Sequence, residues 1–303
     1  MQSLVSLNDI KLEDVNNILS IAAEYASLPS LPTVLKGEIV ANLFFEPSTR
    51  TLSSFKIACF RLGGDVLDIS PDTSAVKKGE DIIATVENIA AMGVRFFVVR
   101  HSTSGIVAKL AATFPSLHFI NGGDGTNQHP TQALLDVFTI RQFKGEVAGL
   151  NISIVGDVLH SRVAGSLVPL LLMLGVNRID LVGPESLIAV HYNSDRVRYS
   201  NDVVSGVKEA DVIYSLRFQK ERMTEQEIKA IPENSSLFCI NNNVLDYARD
   251  NVIIMHPGPV NVGVELAVDV INSQKAKIID QVRNGVFIRA AVFSYLLGNM
   301  GPQ

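Results

Sequence analysis

Short, almost wholly apolar runs recur along this chain, and stretches of helical periodicity separate them. Residues 39–45, 66–69, 94–99 and 118–120 are the runs of the first half; 152–155, 179–182, 212–215, 237–240 and 252–255 are those of the second. Between them, residues 80–92, 105–114, 161–174 and 225–230 read as helices. A strand that is apolar on both faces must be covered on both faces, and intervening helices make successive strands run parallel. The pattern therefore dictates an α/β fold of parallel sheets sandwiched by helices. A length of 303 residues accommodates two such domains. Residues 130–143 read as the connecting helix, with Pro130 in its first turn and Leu134, Val137, Phe138 and Arg141 at helical spacing. The domain boundary is placed within or just after it. A last apolar helix, 286–297, has a spacing that suits packing on either domain.

Charge narrows the partners. Charged residues make up 19% of the chain, below the roughly 25% usual in soluble proteins, so surface is expected to be buried in an oligomer. The net charge of −5 and the lack of a basic stripe argue against nucleic acid. No apolar run reaches the length of a membrane span, and the N-terminus lacks a basic-then-apolar leader, so a cytoplasmic protein with no membrane partner is expected. Cys59 and Cys239 lie in apolar stretches without metal-ligand spacing, which reads as buried packing in a reducing compartment.

Polar residues gather where the runs end, which is where open α/β sheets bind ligands. After 39–45 and the break at Glu46-Pro47 comes Ser48-Thr49-Arg50-Thr51, with a helical pattern from Thr51 onward. Free amides at a helix N-terminus, a favourable dipole and a guanidinium together suit a phosphate. A plain helix cap would need only one of the hydroxyls. Arg100-His101, the glycine-rich stretch 121–128 with His129-Pro130-Thr131-Gln132, Gly156-Asp157 with His160-Ser161-Arg162, residues 217–222, and His256-Pro257-Gly258-Pro259 follow other runs. Singly, a histidine before proline reads as a cap and a lone arginine as a surface ion pair. Jointly, Arg50, Arg100, Arg162 and Arg217 without a matching cluster of acids point to polyanionic substrates. Ser48 has no His–Asp partners at a recognisable spacing, and neither a phosphate-binding Gly-x-x-x-x-Gly-Lys loop nor a Gly-x-Gly-x-x-Gly fingerprint is present.

These segments resemble the carbamoyltransferase family. The likeness rests on Phe44-Phe45-Glu46-Pro47-Ser48-Thr49-Arg50-Thr51 and His129-Pro130-Thr131-Gln132. Ser74-Ala75-Val76-Lys77-Lys78-Gly79-Glu80, Leu216-Arg217-Phe218-Gln219-Lys220-Glu221-Arg222 and His256-Pro257-Gly258-Pro259 look like its aspartate branch in particular. The likeness runs in order over nearly the whole chain. The His-Cys-Leu-Pro and Asp-x-x-x-Ser-Met-Gly segments of the ornithine branch are missing.

The resemblance implies transfer of a carbamoyl group from carbamoyl phosphate to L-aspartate in pyrimidine synthesis, with no cofactor and no metal. It implies a carbamoyl-phosphate domain at 1–143, an aspartate domain at 144–284 and a C-terminal helix at 285–303 packing back on the first. Ser48, Thr49 and Arg50 would hold phosphate, Thr51 and Arg100 both phosphate and carbonyl. His129 would donate to the carbonyl oxygen, while Gln132 and the backbone of Pro257, Gly258 and Pro259 would fix the carbamoyl amide. Arg162 and Arg217 would take the carboxylates of aspartate, with Gln219 in support, and Glu46 would bridge to Arg162 and Arg222 on domain closure. Ser74 and Lys78 would come from a neighbouring subunit, making a homotrimer the minimal active unit. A regulatory chain or a dihydroorotase partner is left open, as are a different acceptor amine such as ornithine and a non-catalytic paralogue. Departures from relatives are Leu52 and Lys56, where many carry arginine and glutamate, Val262 for arginine, and Gly258 for a larger residue.

Overall fold

The computed structural model describes residues 1–8, 10–69, 81–188, 190, 192–219, 223–225 and 235–298. The chain divides into two compact units, Met1–Leu135 with Val282–Gln303, and Asp136–Gln281. In the first, α1 (Leu12–Ser27) precedes β1 (Ile39–Phe44), α2 (Thr49–Arg61), β2 (Asp65–Ile69) and α3 (Ile82–Ala91). Then come β3 (Phe96–His101), α4 (Ile106–Thr113), β4 (His118–Asp124) and α5 (Pro130–Lys144). All pairings are parallel, in the order β2-β1-β3-β4. Because β1 and β3 are apolar on both faces, each face carries a core. Leu43, Phe97, Val99 and Phe119 meet Val86, Ile89, Val107 and Leu110 on one face, and Phe96 meets Phe293 edge-on at 6.2 Å on the other. Cys59 is buried, and burial, reinforced by Asp65, pushes its thiol up to about 12. Lys56, one of the departures, pairs with Asp68 at 2.6 Å within its own chain.

The second unit holds β5 (Asn151–Val155), α6 (Arg162–Met173), β6 (Arg178–Val182), β7 (Val197–Ser200) and α7 (Val203–Val207). It continues through β8 (Val212–Ser215), α8 (Asn242–Leu245), β9 (Ile253–Met255) and α9 (Val268–Ile271). The sheet is again parallel, ordered β7-β6-β5-β8-β9. α10 (Ile278–Gly298) returns the chain to the first unit, where Tyr25 donates to the Ser294 hydroxyl at 2.8 Å.

Two expectations need correction. Residues 237–240, read as a strand from their apolar run, begin instead in a 3-10 turn at Ser235–Phe238. Ile240 spends its N–H on the Glu265 carbonyl (3.0 Å) and its carbonyl on the Ala267 N–H (3.0 Å), as an isolated bridge outside the sheet. Conversely, β7 was absent from the reading. Residues 226–230 of the expected helix lie outside the described residues. The passage between units falls inside α5, because Asp136 accepts from Tyr214 (2.7 Å) and Gln281 (2.8 Å), both residues of the second unit.

Candidate active site

Each sheet has one point where the strand order reverses. In the first it lies between β1 and β3, with Phe44 beside Arg100 in register; in the second between β5 and β8, with Val155 beside Ser215. Helices leave in opposite directions there and open a crevice at the strands' carboxyl ends. The chemistry-bearing segments begin at these two points.

At the first, the backbone bends at Phe45 and Glu46, and α2 starts at Thr49, two residues earlier than the sequence pattern suggests. Ser48 is the N-cap residue, yet its side chain makes no capping bond, so the plain-cap reading does not account for it. The helix is entered by a bond from the Leu52 N–H to the Ser48 carbonyl at 3.1 Å. Thr51 is buried, while Thr49 and Arg50 reach the surface. The turn is fastened to β3 by the Phe45 N–H, which donates to the Arg100 carbonyl at 2.8 Å. Arg100 itself donates to the Gly122 carbonyl at 3.1 Å and lies 3.7 Å from Glu46. His101 packs on Phe45 with ring centroids 5.1 Å apart, and burial, partly offset by Glu46, holds its imidazole below the usual value.

β4, the neighbour of β3, leads on to His129 and Gln132 by way of Asp124. Asp124 is 1% exposed and takes four donors: Gly105 N–H (2.8 Å), Asn121 Nδ2 (2.9 Å), Asn127 Nδ2 (3.1 Å) and Gln128 N–H (3.0 Å). The loop between Asp124 and α5 is thereby fixed, and His129 and Gln132 enter the helix start buried. In the sequence Asp124 is one residue of a polar stretch; its signal is an acid flanked by glycines at a strand end.

At the second switch point, the fully buried Asp157 accepts from the His160 N–H (3.1 Å), His160 Nδ1 (2.9 Å) and the Gln219 N–H (3.2 Å). Gln219 Nε2 returns a bond to the His160 carbonyl at 3.1 Å. One carboxylate thus ties the β5 end to the β8 end. Gly156 has φ 127°, and a Cβ there would stand 2.5 Å from the Leu216 carbonyl oxygen, so only glycine lets the two segments approach. Ser161 caps α6 by accepting from the Ala164 N–H at 3.2 Å, which makes Arg162 the first helical residue. At 6% exposure Arg162 is not the surface ion pair that a lone arginine suggests. Arg217 is half-buried one residue before Phe218, whose N–H donates to Glu265 at 3.4 Å. Beyond β9, the neighbour of β8, come His256, Pro257, Gly258 and Pro259.

Arg50, Thr51, Arg100, His129 and Gln132 accordingly share three adjacent strand ends of the first unit, and Arg162, Arg217, Gln219, Pro257 and Gly258 three adjacent ends of the second. Ser74, Lys78 and Arg222 lie outside the described residues. Among the described residues no group of three His, Cys, Asp or Glu side chains is disposed to hold a metal ion, and no helix is long and apolar enough to cross a membrane.

Comparison with known proteins agrees with this architecture. Residues 2–142 match the family model "Aspartate/ornithine carbamoyltransferase, carbamoyl-P binding domain", and residues 148–296 the model "Aspartate/ornithine carbamoyltransferase, Asp/Orn binding domain". The chain belongs to the aspartate/ornithine carbamoyltransferase family. It is 42% identical over 298 residues to the aspartate carbamoyltransferase catalytic subunit of Ehrlichia ruminantium (strain Gardel), covering 98% of this chain and 99% of that one. The crystal structure of aspartate transcarbamoylase from Trypanosoma cruzi with carbamoyl phosphate and aspartate superposes with a TM-score of 0.84 at 27% identity, over 96% and 94% of the two chains. Ornithine carbamoyltransferase from Pyrococcus furiosus does so with a TM-score of 0.85 at 27% identity, over 99% and 98%. Backbone shape is therefore common to both branches.

Proposed function

We propose that this chain transfers the carbamoyl group of carbamoyl phosphate to the amine of L-aspartate, giving N-carbamoyl-L-aspartate and phosphate, the carbamoylation step of de novo pyrimidine synthesis. The observation that carries the reading is the distribution of cations: an anion-binding helix start with Arg50 and Arg100 at one switch point, and Arg162 with Arg217 at the other. Two guanidiniums match the two carboxylates of aspartate, whereas ornithine offers one carboxylate and a cation.

Ser48, Thr49 and Arg50 hold the phosphate, and Thr51 and Arg100 reach phosphate and carbonyl. His129 donates to the carbonyl oxygen as negative charge grows there. Gln132 and the carbonyls of Pro257 and Gly258 fix the carbamoyl amide, and Gln219 supports the aspartate. The neutral amine attacks the carbonyl carbon, and the bond to the phosphate oxygen breaks with its electron pair leaving on phosphate. Phosphate takes the amine proton, so positioning and electrostatics supply the acceleration. A colorimetric assay for carbamoyl-aspartate on the purified chain tests this: product is expected with aspartate, and turnover of ornithine instead, or of neither amine, overturns the reading.

The active unit in this proposal is a homotrimer in which Ser74 and Lys78 of one subunit serve the next. Lys78→Ala and His129→Ala are each expected to be nearly inactive, and mixed trimers of the two to recover part of the activity. No recovery in mixed trimers, verified by native mass spectrometry, rules out sharing.

A further inference from the structure

Behind the second switch point runs a buried polar chain that none of the assigned roles uses. Asp136, Tyr214, Gln281, His256 and Glu265 are each 2% exposed or less. Asp136 receives Tyr214 and Gln281, as described above, and Gln281 Oε1 accepts from the His256 N–H at 2.9 Å. His256 Nδ1 in turn accepts from the Gly258 N–H at 2.8 Å. Its other nitrogen, Nε2, stands 3.6 Å from Glu265 Oε2. Glu265 continues the chain by accepting from the Phe218 N–H at 3.4 Å, from the Asn261 N–H at 2.6 Å and from Asn261 Nδ2 at 2.8 Å. Burial pushes the Glu265 carboxyl up, but His256 and the Asn261 bonds outweigh it and hold it below the usual value.

The direction of the bonds decides the proton positions. A backbone N–H can only donate, so His256 Nδ1 must offer its lone pair to Gly258. The imidazole proton then sits on Nε2, 3.6 Å from the Glu265 carboxylate. Gly258 needs this support: its φ of 70° is in the left-handed region, which a glycine adopts without steric penalty but which nothing in a bare glycine selects. The lone pair of one imidazole thus chooses the turn whose carbonyls, Pro257 and Gly258, face the carbamoyl amide in the proposed reaction. Through Glu265, the same imidazole is joined to the backbone beside Arg217.

We propose that His256, as the neutral Nε2–H tautomer backed by Glu265, is a positioning residue that sets the Pro257–Gly258 turn for the carbamoyl group. The substrate named here rests on the proposed function; the tautomer and the turn do not, so the experiment reads both. In the full-length chain, two-dimensional NMR on ¹⁵N-histidine-labelled protein is expected to show His256 protonated at Nε2 only, and Gly258 amide exchange to be slow. His256→Asn places an acceptor where Nδ1 stands, and is expected to keep the Gly258 amide protected and the KM for carbamoyl phosphate within about threefold of the parent. His256→Gln reaches the Nε2 position but leaves the Gly258 N–H without its acceptor. It is expected to expose that amide and raise the KM for carbamoyl phosphate by about tenfold or more, with less effect on the KM for aspartate. A proton on Nδ1, an unprotected Gly258 amide in the parent, or equal behaviour of the two variants overturns the proposal. Should both variants fail to fold, the tautomer and exchange measurements on the parent decide it. A parent that does not turn over aspartate defeats the functional reading while leaving those two measurements intact.

Discussion

In the proposed reaction the two switch points recognise anions by different means. In the first unit the donors are contiguous in sequence, Ser48 to Thr51, and the backbone does much of the work at a helix start. Its supporting carboxylate, Asp124, is bonded by neutral amides alone in the contacts described above. In the second unit the donors are scattered over Arg162, Arg217 and Gln219, and two carboxylates hold their segments, each beside a histidine: Asp157 by His160, and Glu265 by His256. A phosphate is met by a turn that a short motif can encode. A dicarboxylate is met by side chains that only the assembled sheet brings together.

The largest expected effect separates the two ends. Arg217→Ala should weaken aspartate use by about 2–5 kcal/mol, the cost of removing one partner of a buried charge pair, with carbamoyl phosphate binding little changed. Arg50→Ala should do the reverse. Steady-state kinetics with direct calorimetric binding checks this, and equal damage to both substrates from either variant would erase the contrast drawn here.

Next in size is Asp124→Ala, which removes the acceptor of two buried donors, the Gln128 N–H and Asn121 Nδ2 (the latter keeping the Val5 carbonyl at 2.9 Å), and of the more exposed Gly105 N–H and Asn127 Nδ2. A buried donor left unmet costs about 1–3 kcal/mol, so denaturant unfolding should report a loss of about that size. A smaller loss would mean that the first unit's loop holds itself without its acid.

The caps offer a finer comparison. Ser161→Ala removes a capping bond and should cost about 1 kcal/mol of stability. Ser48→Ala removes none and should leave stability within about 0.5 kcal/mol while weakening phosphate binding. Thermal unfolding of both variants, with phosphate titrations, distinguishes the hydroxyl that builds a helix from the one that serves a ligand.

What was legible in the sequence follows the same division. The alternation of strands and helices, the hydroxyl-rich turn before α2 and the helix beginning at Pro130 could all be read because their determinants are local. β7 escaped because Val-Arg-Tyr-Ser at the sheet edge buries only its valine fully, leaving no apolar run to notice. Residues 237–240 misled for the opposite reason, since Phe238, Cys239 and Ile240 are buried without joining the sheet. His256 and Asp157 stood out only as polar residues at strand ends, and Glu265, Tyr214 and Gln281 did not stand out at all. Each also has a partner tens of residues away, Gln219 for Asp157, Gln281 for His256, Phe218 for Glu265 and Asp136 for Tyr214 and Gln281, and no spacing announces those.

Acid gives the smallest and last contrast. Burial lowers His101 and His118 in the first unit, with Glu46 and the Gln2 backbone respectively opposing. A depressed imidazole contributes stability above its ordinary value of about 6.5 and loses it as pH falls through the folded value. Glu265, also depressed, contributes above the ordinary carboxylate value of about 4.3 and loses it only below that. Burial raises Asp180, a penalty that protonation relieves, so it opposes the loss at Glu265. Hydrogen exchange followed segment by segment from pH 7 to pH 5 should therefore show protection falling first in the first unit. Simultaneous loss in both would leave the histidines without that role.

One feature of the chain's path bears on how the molecule comes into being. The first unit is written in two pieces, Met1–Leu135 and Val282–Gln303, with the whole of the second unit inserted between them. Ile288, Phe293 and Leu296 of α10 are fully buried, and Tyr25, Phe55 and Phe96 contact this helix. On the ribosome, the second unit is complete while the first still lacks its final wall. The turn at residues 48–51 must wait, during synthesis, for the whole inserted unit and then for α10 to emerge before the core beneath it can close.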